Sequence, residues 1–139
     1  MGDDSGSLGE PMSDAPRRTA LVADASADNR RPLRQALEQL RFAVIEVGDG
    51  TEAIDALAGR VFDVVVTDVW MPGADGIAVI QSIRQVSPGV AIFVVTGGGP
   101  GLSIASAAAL AQVWGARRVY VKPFDMHELI AEIDTLFPR

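Results

Sequence analysis

An α/β fold, with parallel strands joined by crossover helices, is predicted by three features of this sequence. Short apolar runs alternate with longer segments whose apolar residues recur at helical spacing, the grammar of a sheet wrapped by helices. The central run, Val64-Val65-Val66, shows no alternation with polar residues, as expected of a strand covered on both faces. The chain has 139 residues, 48% hydrophobic and 22% charged, which describes one globular domain around a single core.

Taken in order, residues 1 to 17 are mostly Gly, Ser, Asp and Pro with almost nothing to bury, and are expected to form a disordered N-terminal tail ahead of a domain spanning 18 to 139. Thr19 to Ala23 is the first strand. Leu33, Ala36, Leu37 and Leu40 then define the first helix, with Ser26 or Asp28 as its cap and Pro32 tolerable only near its start. Phe42 to Glu46 reads as a second strand, followed by a turn at Gly48-Asp49-Gly50-Thr51 and a helix with Ala53, Ile54, Leu57 and Ala58 inward. After the strand at Val64 to Val66, a third helix buries Ile77, Ile80 and Ile83 and stops at Ser87-Pro88-Gly89. Val90 to Val95 is the fourth strand, Leu102 to Trp114 the fourth helix closed by Gly115, and Arg118 to Val121 the fifth strand. A last helix starts at Asp125, with Glu128 as its capping partner, and buries Leu129, Ile133 and Leu136.

Charge and composition remove several functions. A net charge of -6 argues against nucleic acid, because phosphate contacts need clustered Lys and Arg, whereas Arg30, Arg31, Arg34, Arg41, Arg117 and Arg118 are scattered among elements. The absence of cysteine excludes disulfides and thiolate metal sites and fits a cytoplasmic protein. No apolar stretch approaches the ~20 residues of a membrane span, the amino terminus has no secretory signal pattern, and Gly6 stands where a myristoylation motif needs Ser or Thr.

The polar residues that matter sit where strands end. Asp24, Asp68, Thr96 and Lys122 follow the first, third, fourth and fifth strands, and in open α/β sheets ligands bind beyond the carboxyl ends of strands. DVVVTDVWMPGADG at 63 to 76 resembles the phosphoacceptor segment of response-regulator receiver domains, the modules phosphorylated on aspartate by histidine kinases. LVAD at 21 to 24, VVT at 94 to 96 and VKPF at 121 to 124 agree with it in order, so the resemblance covers the chain from about Thr19 to Phe137.

That resemblance implies a flavodoxin-like (βα)5 sandwich, strand order 2-1-3-4-5, with helices on both faces. It implies Asp68 as phosphoacceptor, and Mg²⁺ held by Asp24, Asp68 and the backbone carbonyl of Trp70. Lys122 would pair with the phosphoryl group, Thr96 would hydrogen-bond it, and Lys122-Pro123 would be a cis peptide. Transfer to a carboxylate needs an ionised nucleophile, cations to offset the spreading charge, and donors aimed at the phosphoryl oxygens. The implied partners are a sensor histidine kinase or histidine phosphotransferase, and a downstream protein that reads the face of the fourth helix, fifth strand and last helix. A chain ending at Arg139, just after that helix, is expected to be a stand-alone signalling module and not an enzyme.

Three departures keep a second reading open. Ala25 replaces the second of the two adjacent acids usual in receivers, which weakens the expected metal site, and Asp28 could reach in or simply cap its helix. Val119 occupies the usual place of an aromatic switch residue, with Tyr120 beside it reading as packing. The run Gly97-Gly98-Gly99-Pro100-Gly101 is either a segment that orders around phosphate through backbone N–H groups or a long turn, and lacks the ending of a nucleotide P-loop. Trp70 is read as a lid on the third helix or a contact for a kinase, His127 as solvated, and the uncharged fourth helix as doubly buried or as a docking face. The alternative function is a pseudo-receiver, an interaction module independent of phosphorylation. A haloacid-dehalogenase-type phosphatase is rejected, because Trp70 stands where its acid would be needed.

Overall fold

The computed structural model describes residues 18–73, 75–86, 88–97 and 103–138. The expected tail and most of the Gly-rich loop lie outside these residues. Five strands, β1 (Arg18–Ala23), β2 (Phe42–Val47), β3 (Val64–Asp68), β4 (Ala91–Thr96) and β5 (Arg118–Val121), form one parallel sheet in the order β2-β1-β3-β4-β5. Between and after them run α1 (Ala27–Gln39), α2 (Gly50–Gly59), α3 (Gly76–Val86), α4 (Ile104–Val113) and α5 (Met126–Leu136).

The period of two along each strand sends alternate side chains into two apolar layers. Leu21, Val65, Ile92 and Val94 meet Ala53 and Leu57 of α2 and Val79, Ile80 and Ile83 of α3 on one face. Val22, Val66, Phe93, Val95 and Tyr120 meet Leu33 and Leu37 of α1 and Leu129 and Ile133 of α5 on the other. Each fully buried aliphatic side chain contributes roughly 1.5–3 kcal/mol, so β3, buried along its whole length, is the best-anchored strand. Its last residue, Asp68, inherits that anchorage.

Several local expectations are corrected. Ala58 is exposed, because it lies about 100° around α2 from the buried Leu57. Ala36 of α1, Leu40 and Leu136 are only half-buried, the last two because α1 and α5 end there. Ser26 occupies the N-cap of α1, but its side chain makes no capping bond; its carbonyl accepts from the Asn29 and Arg30 N–H groups instead. The Asp28 side chain makes no hydrogen bond among the described residues and does not cap α1 either. Pro32 lies past the first turn of α1, where it withholds an N–H from the exposed Asp28.

Asp125 caps α5 by accepting from the His127 N–H, and the Glu128 side chain does not close the box. A reciprocal cap forms instead at α2, where Asp49 accepts from the Glu52 N–H at 2.7 Å and Glu52 accepts from the Gly48 N–H at 3.0 Å. The described side chains of α4 are mostly open to solvent, with Val113 at 78%, so this helix is not buried on both sides.

Candidate functional site

The site is built from three strand ends. Asp24 follows β1 with its N–H on the Val47 carbonyl at 3.2 Å, Asp68 ends β3, and Lys122 follows β5 with its N–H on the Thr96 carbonyl at 2.9 Å. Because β1 and β3 are paired neighbours, the two carboxylates emerge side by side, each only 8% exposed. The Lys122 ammonium crosses from β5 to bridge them, donating to Asp68 Oδ2 at 2.7 Å and to Asp24 Oδ2 at 2.9 Å. Each remaining oxygen takes a backbone donor: the Ser26 N–H binds Asp24 Oδ1 at 2.9 Å and the Trp70 N–H binds Asp68 Oδ1 at 3.2 Å.

Burial works against the Lys122 charge, but its hydrogen bonds to Asp68 and Asp24, with their negative charge, outweigh that and hold the ammonium above the usual lysine range. Two carboxylates facing one ammonium leave the cluster one negative charge in surplus when all three are ionised. A cavity of about 550 Å³ opens beside it, with Asp24, Asp68 and Lys122 on one wall and Val22, Val66 and Phe124 among its apolar lining.

Thr96 is fully buried at the end of β4, across from Val121. Gly97 is exposed and borders the lysine, since a Cβ there would lie 3.8 Å from Lys122 Cβ. Lys122-Pro123 is cis. Thr96 and Gly97 are not among the residues lining this cavity, while Asp24, Asp68 and Lys122 are bonded to one another directly. Trp70 packs its half-buried ring against the α2/α3 layer, and its indole Nε1 is buried without a hydrogen-bond partner among the described residues. Tyr120 packs in the opposite layer from Val119, tilted against Phe124 at 5.9 Å between ring centres. His127 is 96% exposed, as expected.

The donor set suits a hard divalent cation. The two carboxylates of Asp24 and Asp68 supply only oxygen, and Mg²⁺ commonly uses one or two carboxylates with waters and a substrate phosphate. No group of three or more His, Cys, Asp or Glu that could hold a metal occurs among the described residues, in keeping with Ala25 at the second acid position.

A family model described as response regulator receiver domain matches residues 20–134. The chain belongs to the response-regulator receiver family. Among curated relatives, this receiver is 32% identical over 118 residues to the DNA-binding transcriptional regulator NtrC of Klebsiella pneumoniae, covering 85% of this chain and 24% of that protein. It is 32% identical over 119 residues to the transcriptional regulatory protein ResD of Bacillus subtilis, covering 86% of this chain and 48% of that one. The receiver thus spans about a quarter to a half of these two relatives. A crystal structure of a response regulator receiver domain protein from Clostridium thermocellum aligns with a TM-score of 0.74 and 26% identity, over 86% of this chain and 93% of the other.

Sequence reasoning missed two groups at this receiver's site. The Ser26 N–H aims the first carboxylate, and the Arg30 guanidinium donates to the Asp24 carbonyl at 2.6 Å. The available signal for the second was an arginine six positions after a strand-end aspartate, inside the first turns of the next helix.

Proposed function

We propose that this receiver accepts a phosphoryl group on Asp68 from the phosphohistidine of a sensor histidine kinase or histidine phosphotransferase, and thereby changes its affinity for a protein partner. The observation that carries the reading is the Lys122 ammonium bonded to both carboxylates. An Asp68 oxygen attacks phosphorus, the O–P bond forms as the P–N bond breaks, and the electron pair leaves with the donor's imidazole nitrogen. Lys122 then turns from its carboxylate partners toward the phosphoryl oxygens, Thr96 donates its hydroxyl, and Gly97 leaves the approach free of a side chain. Asp24, Asp68 and the Trp70 carbonyl would hold Mg²⁺, which when bound offsets charge spread over the phosphoryl oxygens.

The receiver unit lies within residues 18–139, which include the matched span 20–134. The output face is that of α4, β5 and α5, supported by exposed Ile104, Val113 and Val121. The acidic charge and scattered arginines speak against nucleic acid as a partner. No helix among the described residues is long and apolar enough to cross a membrane.

Ala25 favours one competing reading, an interaction module that works without phosphorylation. Beryllofluoride with Mg²⁺ separates the two, because the Ser26 and Trp70 amides each report one carboxylate. Shifts of both amides in the wild type, absent in Asp68→Asn, support phosphoacceptance. Unmoved amides at saturating Mg²⁺ favour the interaction module.

A further inference from the structure

Resting on that reading, we propose that Arg30 is a positioning residue for the cation-holding carboxylate of Asp24, acting through the Asp24 backbone carbonyl and itself held by Glu46. With Ala25 next in the chain, Asp24 and Asp68 are the two carboxylates of the cluster, so the aim of Asp24 carries more of any cation's binding. Asp24 lies one residue beyond the paired part of β1, where strand pairing no longer fixes its direction.

Two bonds replace the ladder there. The Asp24 N–H is held by the Val47 carbonyl at 3.2 Å, and its C=O by Arg30 Nη1 at 2.6 Å. Between these fixed peptide groups the side chain projects toward Lys122 and the Ser26 N–H. A guanidinium suits the task because its planar fork fixes several donors at once. Arg30 spends Nε on Glu46 Oε1 at 3.1 Å and Nη1 on Asp24, so β2 holds the arginine and the arginine holds the end of β1.

Arg30 and Glu46 are 18% and 17% exposed in their side chains, which shields the pair from solvent screening. Glu46 Oε2 accepts from Arg34 Nη1 at 2.9 Å, a contact separate from the Oε1 that holds Arg30. Gly48 borders this arm, since a Cβ there would stand in ordinary contact, 3.4 Å from Arg30 Nη1. Arg30 makes no hydrogen bond to the Asp24 carboxylate itself, so it aims that group without occupying the oxygens a cation needs.

The test is a MgCl₂ titration of the full chain, followed through the Ser26 and Trp70 amide shifts, with folding checked by far-UV circular dichroism. Arg30→Gln is expected to weaken Mg²⁺ affinity about 10- to 100-fold, the usual effect of removing an outer-shell partner. Arg30→Lys, which keeps one donor for the carbonyl, should recover part of that loss. Arg34→Gln, which removes the other Glu46 contact and leaves Arg30's own bonds, should bind Mg²⁺ as the wild type does. Wild-type affinity in Arg30→Gln overturns the proposal, as does an equal loss in Arg34→Gln, which would mark a general structural effect. If Arg30→Gln fails to fold, Glu46→Gln takes its place: weakened Mg²⁺ binding supports the relay and unchanged binding overturns it. A wild type whose Ser26 and Trp70 amides ignore Mg²⁺ sinks the phosphoacceptor reading as well, whereas a responsive wild type with unaltered Arg30 variants sinks only this inference.

Discussion

The acidic edge and the α4–β5 flank are neighbours on one sheet, yet they are held in opposite ways. At the edge, four carboxylate oxygens meet donors from Lys122, Ser26 and Trp70, and the carbonyl behind Asp24 meets Arg30. On the flank, Ile104, Val113, Trp114 and Val121 face solvent. Its anchor lies at the C-terminal end of α4, where the Arg84 guanidinium donates to the Trp114, Gly115, Pro88 and Val90 carbonyls. Under the proposed function, the contrast separates two physical jobs. Phosphoryl transfer needs groups aimed in advance, while a surface that changes its affinity must come from the less stable part of a fold.

The sharpest way to break this contrast is Lys122→Met, which leaves two carboxylates together without their shared cation. It should abolish the response to beryllofluoride and destabilise the fold by about 1–3 kcal/mol at neutral pH, read by urea denaturation. The pH dependence has a fixed sign. The folded ammonium is held above the ordinary lysine value, so its stabilisation is complete below about pH 10.4 and is lost as pH rises through the higher folded value. A wild-type advantage that already faded below pH 9 would show the bridge to be weak.

Arg84→Ala strikes the opposite region. Losing a charged donor shared by several carbonyls should cost roughly 1–3 kcal/mol and speed hydrogen exchange in α4 far more than in β3. Gly115→Ala attacks the same clamp from the other side. Gly115 has φ +95°, and a Cβ there would stand 2.8 Å from Arg84 Nε. The strained backbone alone should cost about 1–2 kcal/mol, and the double variant should fall short of the sum, because both lose one clamp. Gly97→Ala should do least, within about 0.5 kcal/mol, since its nearest contact would be 3.8 Å away. A large loss there would show that the space around Gly97 is tighter than that single 3.8 Å contact implies.

Much of the fold and the positions of three candidate site residues at strand ends were legible because they rest on strong, local signals. Val64-Val65-Val66 reads as a doubly covered strand, and Asp24, Asp68 and Lys122 each stand at the end of a largely apolar strand run, Asp68 after Thr67. What stayed hidden depends on direction, which sequence spacing does not carry. Ser26 looked like a side-chain cap, yet its contribution is a backbone N–H turned to Asp24. Asp125 and Glu128 have capping-box spacing without a bond from the Glu128 side chain, whereas at the start of α2 Asp49 accepts from the Glu52 N–H and the Glu52 side chain reaches back to the Gly48 N–H. Arg30 looked like one of several scattered charges, because its partner Glu46 is distant in sequence and its target is a carbonyl.

The Glu46 arm offers a milder check. Hydrogen bonding from Arg34 holds the Glu46 carboxyl below its usual range against the opposing effect of burial, with Arg30 adding to it. Its stabilisation is therefore complete above about pH 4.3 and lost as pH falls through the depressed folded value. Glu46→Gln should lose stability at neutral pH and converge with the wild type only in strong acid.

Intact mass after incubation with a small-molecule phosphodonor and Mg²⁺ addresses the chemistry at Asp68 most directly. The wild type should gain the mass of one phosphoryl group, removable by hydroxylamine as an acyl phosphate is, and Asp68→Asn should gain none. A wild type that stays unmodified, or an Asp68→Asn chain that gains the same mass, would contradict it.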